Sequence, residues 1–164
     1  METNKKYYVL GLLRLVMGFI FLWAFLDKIF GLGFATLPEK AWLAGGSPTA
    51  GFLSFAVHGP FTEFFNNLAG TPLVDYLFMF GLLFLGVSFM LGIFMRVASV
   101  GAVIMFGLMY LAVGLPPENN PFIDDHIVYI LVVLVLALFD SGKYLGFGTW
   151  WERTTLVGRH KFLK

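Results

Sequence analysis

The segment YYVLGLLRLVMGFIFLWAFLDKIF, residues 7–30, contains one charged side chain, Arg14, before the pair Asp27-Lys28 near its end. As an α-helix it would measure about 36 Å, which is enough to cross the hydrocarbon core of a bilayer with some tilt. It is too long for the apolar core of a signal peptide, and no small-residue cleavage site follows it closely. We therefore expect a retained membrane-crossing helix at residues 7–30.

The whole chain has the composition of an integral membrane protein. Its 164 residues are 59% hydrophobic and 13% charged, and the mean hydropathy is +0.82. Four spans of about 20 apolar residues would occupy half of such a chain, which suits one membrane domain over residues 1–164. The net charge of +1 gives no basic excess for nucleic acid, and the absence of cysteine excludes disulfides and thiolate metal sites within this chain.

Three further apolar runs complete a predicted all-α fold. We expect a bundle of four transmembrane helices, at about residues 7–30, 73–94, 97–115 and 123–141. The second and third runs are joined only by Met95-Arg96, which predicts an antiparallel hairpin. Asn120-Pro121 precedes the fourth run, where Asn can cap a helix and Pro suits its first turn.

The connection at residues 31–72 is predicted to be a long, external and partly helical loop between helices 1 and 2. It is rich in aromatic and aliphatic residues, and turn signals interrupt it at Gly45-Gly46-Ser47-Pro48 and Gly59-Pro60. Because a solvated linker would be polar, we expect this loop to be ordered and to pack over the external helix ends.

Charge asymmetry predicts the orientation in the membrane. With four spans, one side receives most of the basic residues: Lys5, Lys6, Arg96, Lys143, Arg153, Arg159, Lys161 and Lys164. Basic residues are enriched on the cytoplasmic side. We therefore predict a multi-pass protein of the plasma membrane, with both termini and the tail at residues 142–164 in the cytoplasm.

Ionisable side chains are predicted to gather near the outer ends of the helices, where one cleft would hold Asp27, Lys28, His58, Glu63, Asp124, Asp125 and His126. Charged groups are expensive in lipid, so we expect Lys28 to face Asp124 or Asp125, with His126 and His58 nearby. In a functional interpretation, Lys28, Asp124, Asp125 and His126 are catalytic candidates that exchange protons with a quinol, and Asp27, His58 and Glu63 bind the substrate. The alternative is ordinary helix capping and ion pairing.

Arg14 lies about 10 Å inside the first helix. Its side chain can extend to the cytoplasmic surface or pair with Asp140, and the alternative is contact with an anion or a quinone. No metal site is predicted, because the neighbours Asp125 and His126 would point about 100° apart on a helix and so make poor ligands for one ion.

Several short motifs resemble the DoxX/DoxD family of small four-helix membrane proteins. They are Leu13-Arg14-Leu15 with Gly18, Asp27-Lys28 before Gly31, Met95-Arg96, and His126 at the start of the helix that leads into Gly142-Lys143-Tyr144. The stretches AFLDKIFGLGFAT, GGSPTAGFL and LPPENNPFIDDHIVY are similar to the DoxD-like branch, which has an extended first external loop.

This resemblance implies a membrane subunit of a quinone-linked oxidoreductase. The DoxD-like branch includes a subunit of thiosulfate:quinone oxidoreductase, so quinone is the implied substrate and a second redox subunit the implied partner, beside the lipid bilayer. Two alternatives stay open: a non-catalytic membrane scaffold that anchors a soluble redox partner, and a small-solute transporter. These patterns indicate no cofactor, and they are compatible with a homo-oligomer.

Overall fold

The computed structural model describes residues 3–113, 115–117 and 120–164, and within these residues the chain forms helices and turns without a β-strand. The described α-helices are α1 (Thr3–Phe30), α2 (Ala50–Phe55), α3 (Thr62–Asn66), α4 (Pro72–Leu91), α5 (Met95–Val113), α6 (Asp125–Leu138), α7 (Gly148–Glu152) and α8 (Thr155–Arg159). Short 3₁₀ turns occur at Pro38–Lys40, Trp42–Ala44, Ser141–Lys143 and Lys161–Leu163. The predicted all-α class is confirmed.

Three of these helices are long and apolar enough to cross a membrane: Lys5–Phe30, Pro72–Leu91 and Met95–Val113. The fourth long helix, α6, is equally apolar but has only 14 residues. It therefore measures about 21 Å, less than the hydrocarbon thickness of a typical bilayer.

The four long helices share one hydrophobic core. α1 packs mainly on α4, α4 on α5 and α5 on α6, while α6 contacts α1 more sparsely. Arg14 reaches Phe89 whereas Lys28 lies over Phe78, so α1 and α4 run antiparallel. The buried core residues are Met17, Phe21, Met79, Leu82, Leu85, Phe89, Met95, Ala98, Ala102, Phe106, Val133 and Leu136.

This packing gives the molecule two different ends. The tail end consists of the start of α1, the turn at residues 92–94 and residues 139–164, and the ring of Tyr7 stacks there on Tyr144 with centroids 4.5 Å apart. The loop end consists of residues 31–71 and of residues 120–127, which include the start of α6. At this end α2, α3 and two 3₁₀ turns form the connection between α1 and α4, and a small core of Leu53, Val57, Phe65 and Ala112 packs it against α5.

The predicted boundary between the second and third spans is wrong. α4 ends at Leu91, because Gly92 adopts a left-handed conformation with φ 74° and its N–H donates to the carbonyl of Ser88 at 2.8 Å. Glycine accepts this conformation without the strain that a Cβ adds, and it commonly terminates helices in this way. Met95-Arg96 therefore forms the first turn of α5 instead of the joint.

The predicted start of the fourth helix is also displaced. Asp124, not Asn120, caps α6, which runs from Asp125 to Leu138 instead of 123–141. The Asn120 side chain instead accepts the N–H groups of Phe122 and Ile123, each at 3.0 Å, and so forms a turn before the helix. The predicted third span, 97–115, includes Gly114, which lies outside the described residues.

Close contact between α1 and α4 depends on Gly86. A Cβ at this position would lie 2.8 Å from the backbone nitrogen of Leu22, so the two helices would have to separate. Gly107, in α5, has open space where its Cβ would be. We expect Gly86→Ala to lower the free energy of unfolding by about 1–3 kcal/mol. The matched control Gly107→Ala should leave it unchanged or raise it, because alanine favours helix. Thermal unfolding of the purified protein in detergent measures both, and equal midpoints for the two variants would contradict the packing.

Candidate functional site

The start of α6 holds a hydrogen-bonded carboxylate and imidazole. Oδ1 of Asp124 accepts the backbone N–H groups of His126 at 3.0 Å and Ile127 at 3.2 Å. Its Oδ2 lies 2.6 Å from Nδ1 of His126. One carboxylate therefore caps the helix, where its charge is favoured by the helix dipole, and orients the imidazole.

His126 is half-buried beside aromatic rings. Its ring centroid lies 6.2 Å from that of Phe106, which in turn lies 5.2 Å from that of Tyr129. A carboxylate only accepts hydrogen bonds, so Nδ1 of His126 carries the proton that is donated to Asp124. Nε2 has no hydrogen-bond partner among the described residues. This arrangement leaves Nε2 available to exchange a proton with an external group.

The predicted pairing of Lys28 with these aspartates is not formed. The Lys28 ammonium lies 5.9 Å from the ring centroid of Phe78 on α4, and within the described residues it makes no ion pair with Asp124 or Asp125. Asp124 instead accepts two backbone N–H groups of α6 and contacts His126, while packing places Lys28 against α4. Asp125 is exposed in the first turn of α6.

The other predicted residues of the outer cluster have local roles. Asp27, only 2% exposed, accepts the N–H groups of Phe34 at 3.2 Å and Ala35 at 3.0 Å. It therefore fastens the loop to the end of α1. His58 is exposed, with Nδ1 3.0 Å from the carbonyl of Ala56, and Glu63 is exposed in the first turn of α3. None of the three is hydrogen-bonded to His126.

Asp75 is a buried carboxylate that sequence reasoning did not single out. Its Oδ1 accepts the hydroxyls of Ser47 at 2.9 Å and Thr49 at 2.6 Å, and the N–H of Thr49 at 3.2 Å. Asp75 thereby ties the loop to the first turn of α4. The sequence feature that could have indicated this cluster is the pair of hydroxyls in Ser47-Pro48-Thr49. The carboxylate that accepts their hydrogen bonds, however, lies more than 25 residues further along the chain.

Arg14 is fully buried and neither reaches the surface nor pairs with Asp140. Nη1 donates to the carbonyls of Phe89 and, at 2.9 Å, Met90. Nη2 donates to those of Tyr144 at 3.1 Å and Leu145 at 2.9 Å. The last turn of α4 carries unsatisfied carbonyls with partial negative charge, which favours a cation there. With 0% of the residue exposed, no guanidinium surface is open to an anion or a quinone.

Asp140 belongs instead to an ion-pair network at the tail end. Its Oδ2 lies 2.8 Å from Nζ of Lys143 and 3.5 Å from Nζ of Lys164. Both lysines also contact Oε1 of Glu152, at 3.4 and 3.1 Å. The hydrogen bond from Lys143 holds the pKa of Asp140 below its ordinary value, and the same bond raises the pKa of the Lys143 ammonium.

Metal ligation has little geometric support in the described part of the chain, where no three His, Asp or Glu side chains converge as a ligand set. The two histidines of the predicted outer cluster are also dispersed. His126 is hydrogen-bonded to Asp124, and His58 is hydrogen-bonded to the carbonyl of Ala56 in its own loop. Among the predicted site residues, the structure brings together one carboxylate and one imidazole, those of Asp124 and His126, an arrangement suited to proton transfer.

We expect that lysine cannot replace Arg14 without loss of stability. We expect Arg14→Lys to lower the free energy of unfolding by about 3 kcal/mol, because an ammonium cannot serve four divergent carbonyls and each buried acceptor left unpaired costs about 1–3 kcal/mol. The matched control is Arg96→Lys, at an exposed arginine whose side chain makes one hydrogen bond, of 3.3 Å, to the carbonyl of Lys161. Thermal unfolding in detergent compares them, and a midpoint for Arg14→Lys equal to that of Arg96→Lys would refute the role.

The tail network should make stability dependent on acid pH. Because the pKa of Asp140 is lowered by folding, its contribution is complete above the unfolded value of about 3.9 and is lost as pH falls through the lower folded pKa. Asp140→Asn should therefore make the acid limb of a plot of unfolding midpoint against pH shallower. Lys143→Gln, which removes the partner, should have the same effect. An unchanged acid limb in both variants would contradict this assignment.

Comparison of the chain with protein families, with curated proteins and with solved structures gave no match in any of the three. The function therefore has to be inferred from the chain's own residues and their arrangement. Of these, the Asp124–His126 pair at the loop end is the arrangement best suited to chemistry.

Proposed function

We propose that this chain is a multi-pass protein of the plasma membrane in which α6 is the fourth crossing helix. Two features support a crossing by this short helix: it shares the core of the three longer helices, and exposed apolar residues extend it at both ends, namely Phe122, Ile123 and Phe139. A bilayer thins or flanking groups adjust when a span is short, at modest cost.

The proposed orientation has the tail end in the cytoplasm. The basic residues Lys143, Lys161 and Lys164 lie in the tail, and Arg96 hydrogen-bonds to it. Lys5 and Lys6 belong to the start of α1, at the same end of the bundle. Such a concentration of lysine and arginine is typical of the cytoplasmic side. The loop end, with Asp124 and His126, then faces the opposite side.

We further propose that the protein is a DoxX/DoxD-like membrane subunit of a quinone-linked oxidoreductase, with thiosulfate as a candidate electron source. The observation that carries this proposal is the 2.6 Å contact between Asp124 and His126 beside the aromatic wall of Phe106 and Tyr129. Aromatic side chains suit a flat quinone ring, and quinone chemistry requires proton transfer.

In this proposal His126 supplies a proton and a second redox subunit supplies the electrons. Reduction of a quinone to a quinol takes two electrons and two protons. Nε2 of protonated His126 delivers one proton to a quinone oxygen, and Asp124 stabilises the imidazolium before that step. His126 then takes up another proton from water at the loop end and is ready for the second transfer.

A non-catalytic membrane anchor for a soluble redox partner is the second candidate function. The observation that favours it is that Arg14, Asp27 and Asp75, all buried, form hydrogen bonds within the chain. Transport has less support, because Arg14 and Asp27 lie toward opposite ends of α1 and a continuous polar path would need groups between them.

The test is quinone reduction by the complex isolated from native membranes with its redox partner. We expect His126→Gln to lower turnover at least about 100-fold, the usual contribution of a general acid. Asp124→Asn keeps a good helix cap but removes the charge that stabilises the imidazolium, so turnover should fall while the unfolding midpoint changes little. The matched controls are His58→Gln and Asp125→Asn, both at exposed positions of the loop end.

Two results would overturn the proposal. Unchanged turnover in His126→Gln would remove the proton-donor role. A complex that retains the redox partner but reduces no quinone would favour the anchor function instead.

A further inference from the structure

An apolar groove opens at the tail end of the molecule. It has a volume of about 400 Å³ and is lined by Leu91, Ile93, Phe147 and Trp150. The residue exposures of Phe147 and Trp150 are 58% and 63%, which is high for large aromatic side chains. The volume lies within the range of about 300–1,000 Å³ that is usual for small-molecule sites.

The backbone around this groove is held in place at several points. The N–H of Phe147 donates to the carbonyl of Leu91 at 2.8 Å, and Arg14 binds the carbonyl of Leu145. Phe94 and Leu145 have φ angles of 54° and 53°. Non-glycine residues adopt such angles uncommonly, and they persist only where surrounding contacts impose them. The groove is therefore a preformed feature, and little ordering is needed to fill it.

The tail that forms part of the groove also carries exposed positive charge. The acidic side chains Asp140 and Glu152 are paired with Lys143 and Lys164. Arg153 lies one helical turn after Trp150, since its N–H donates to the carbonyl of Trp150 at 3.1 Å. Its side chain is exposed and makes no ion pair among the described residues. Further exposed cations occur in the tail and at the start of α1: Lys5, Lys6, Arg159 and Lys161.

We propose that this groove binds an acyl chain of an anionic phospholipid whose headgroup phosphate contacts Arg153. The apolar walls match a hydrocarbon chain, exposed tryptophan is typical of the membrane interface, and unpaired arginine matches phosphate. A soluble anion would use the charge but leave the groove empty. The site depends on the membrane location proposed above and is independent of quinone chemistry, because it lies at the opposite end from His126.

The test measures lipid binding to the purified full-length protein in detergent. Phosphatidylglycerol and phosphatidylcholine with identical acyl chains are titrated and retained lipid is counted by native mass spectrometry. We expect tighter binding of phosphatidylglycerol. Arg153→Gln should weaken it about five-fold, the equivalent of about 1 kcal/mol for one basic residue, and leave phosphatidylcholine unchanged. Trp150→Ala should weaken binding of both lipids, because both acyl chains use the groove.

Matched controls come from the loop end, where Lys40→Gln removes an exposed cation and Leu43→Ala removes an exposed apolar side chain. Neither should alter binding. Circular dichroism and the unfolding midpoint verify that each variant is folded. The proposal is overturned if the two lipids bind equally, if the loop-end variants weaken binding as much as Arg153→Gln, or if a long-chain quinone displaces phosphatidylglycerol from the groove. If His126→Gln abolishes quinone turnover while lipid binding stays normal, the lipid proposal stands.

Discussion

The buried guanidinium of Arg14 imposes the strongest constraint on this molecule. A cation without access to water requires hydrogen-bond acceptors, and here they are four backbone carbonyls. Two belong to the last turn of α4 and two to the segment after α6, so one side chain on α1 holds both against it. Glycine is needed around it: a Cβ on Gly92 would lie 3.2 Å from Cζ of Arg14, and one on Gly146 would lie 2.7 Å from Nη2.

The two ends of the bundle use polar groups differently. At the tail end, Asp140 and Glu152 are neutralised by two lysines, so the carboxylates contribute to folding of the tail and the remaining cations face outward. At the loop end, Asp124 binds the imidazole of His126 through one nitrogen only. The loop end therefore carries a carboxylate–imidazole pair, whereas the tail end carries exposed cations and an apolar groove.

Ordering of the loop end depends on two buried carboxylates. Asp27 binds backbone N–H groups just after α1, and Asp75 binds hydroxyls and an N–H before α2. The connection is thereby attached to both helices that it joins. The loop end therefore presents an ordered surface that includes exposed aromatic residues such as Phe34 and Phe55.

Local properties of the chain were predictable from its residues. Apolar length identified three of the long helices, and the proximity of Asp124 and His126 is a consequence of residues two apart at a helix start. The partners of Arg14 were not predictable, because they lie 75 to 131 residues away and are carbonyls, which every residue possesses. The sequence instead suggested ion pairs between oppositely charged side chains, namely Arg14 with Asp140 and Lys28 with Asp124 or Asp125. Neither pair forms in the folded protein, because packing places the end of α4 against Arg14 and Lys28 against Phe78.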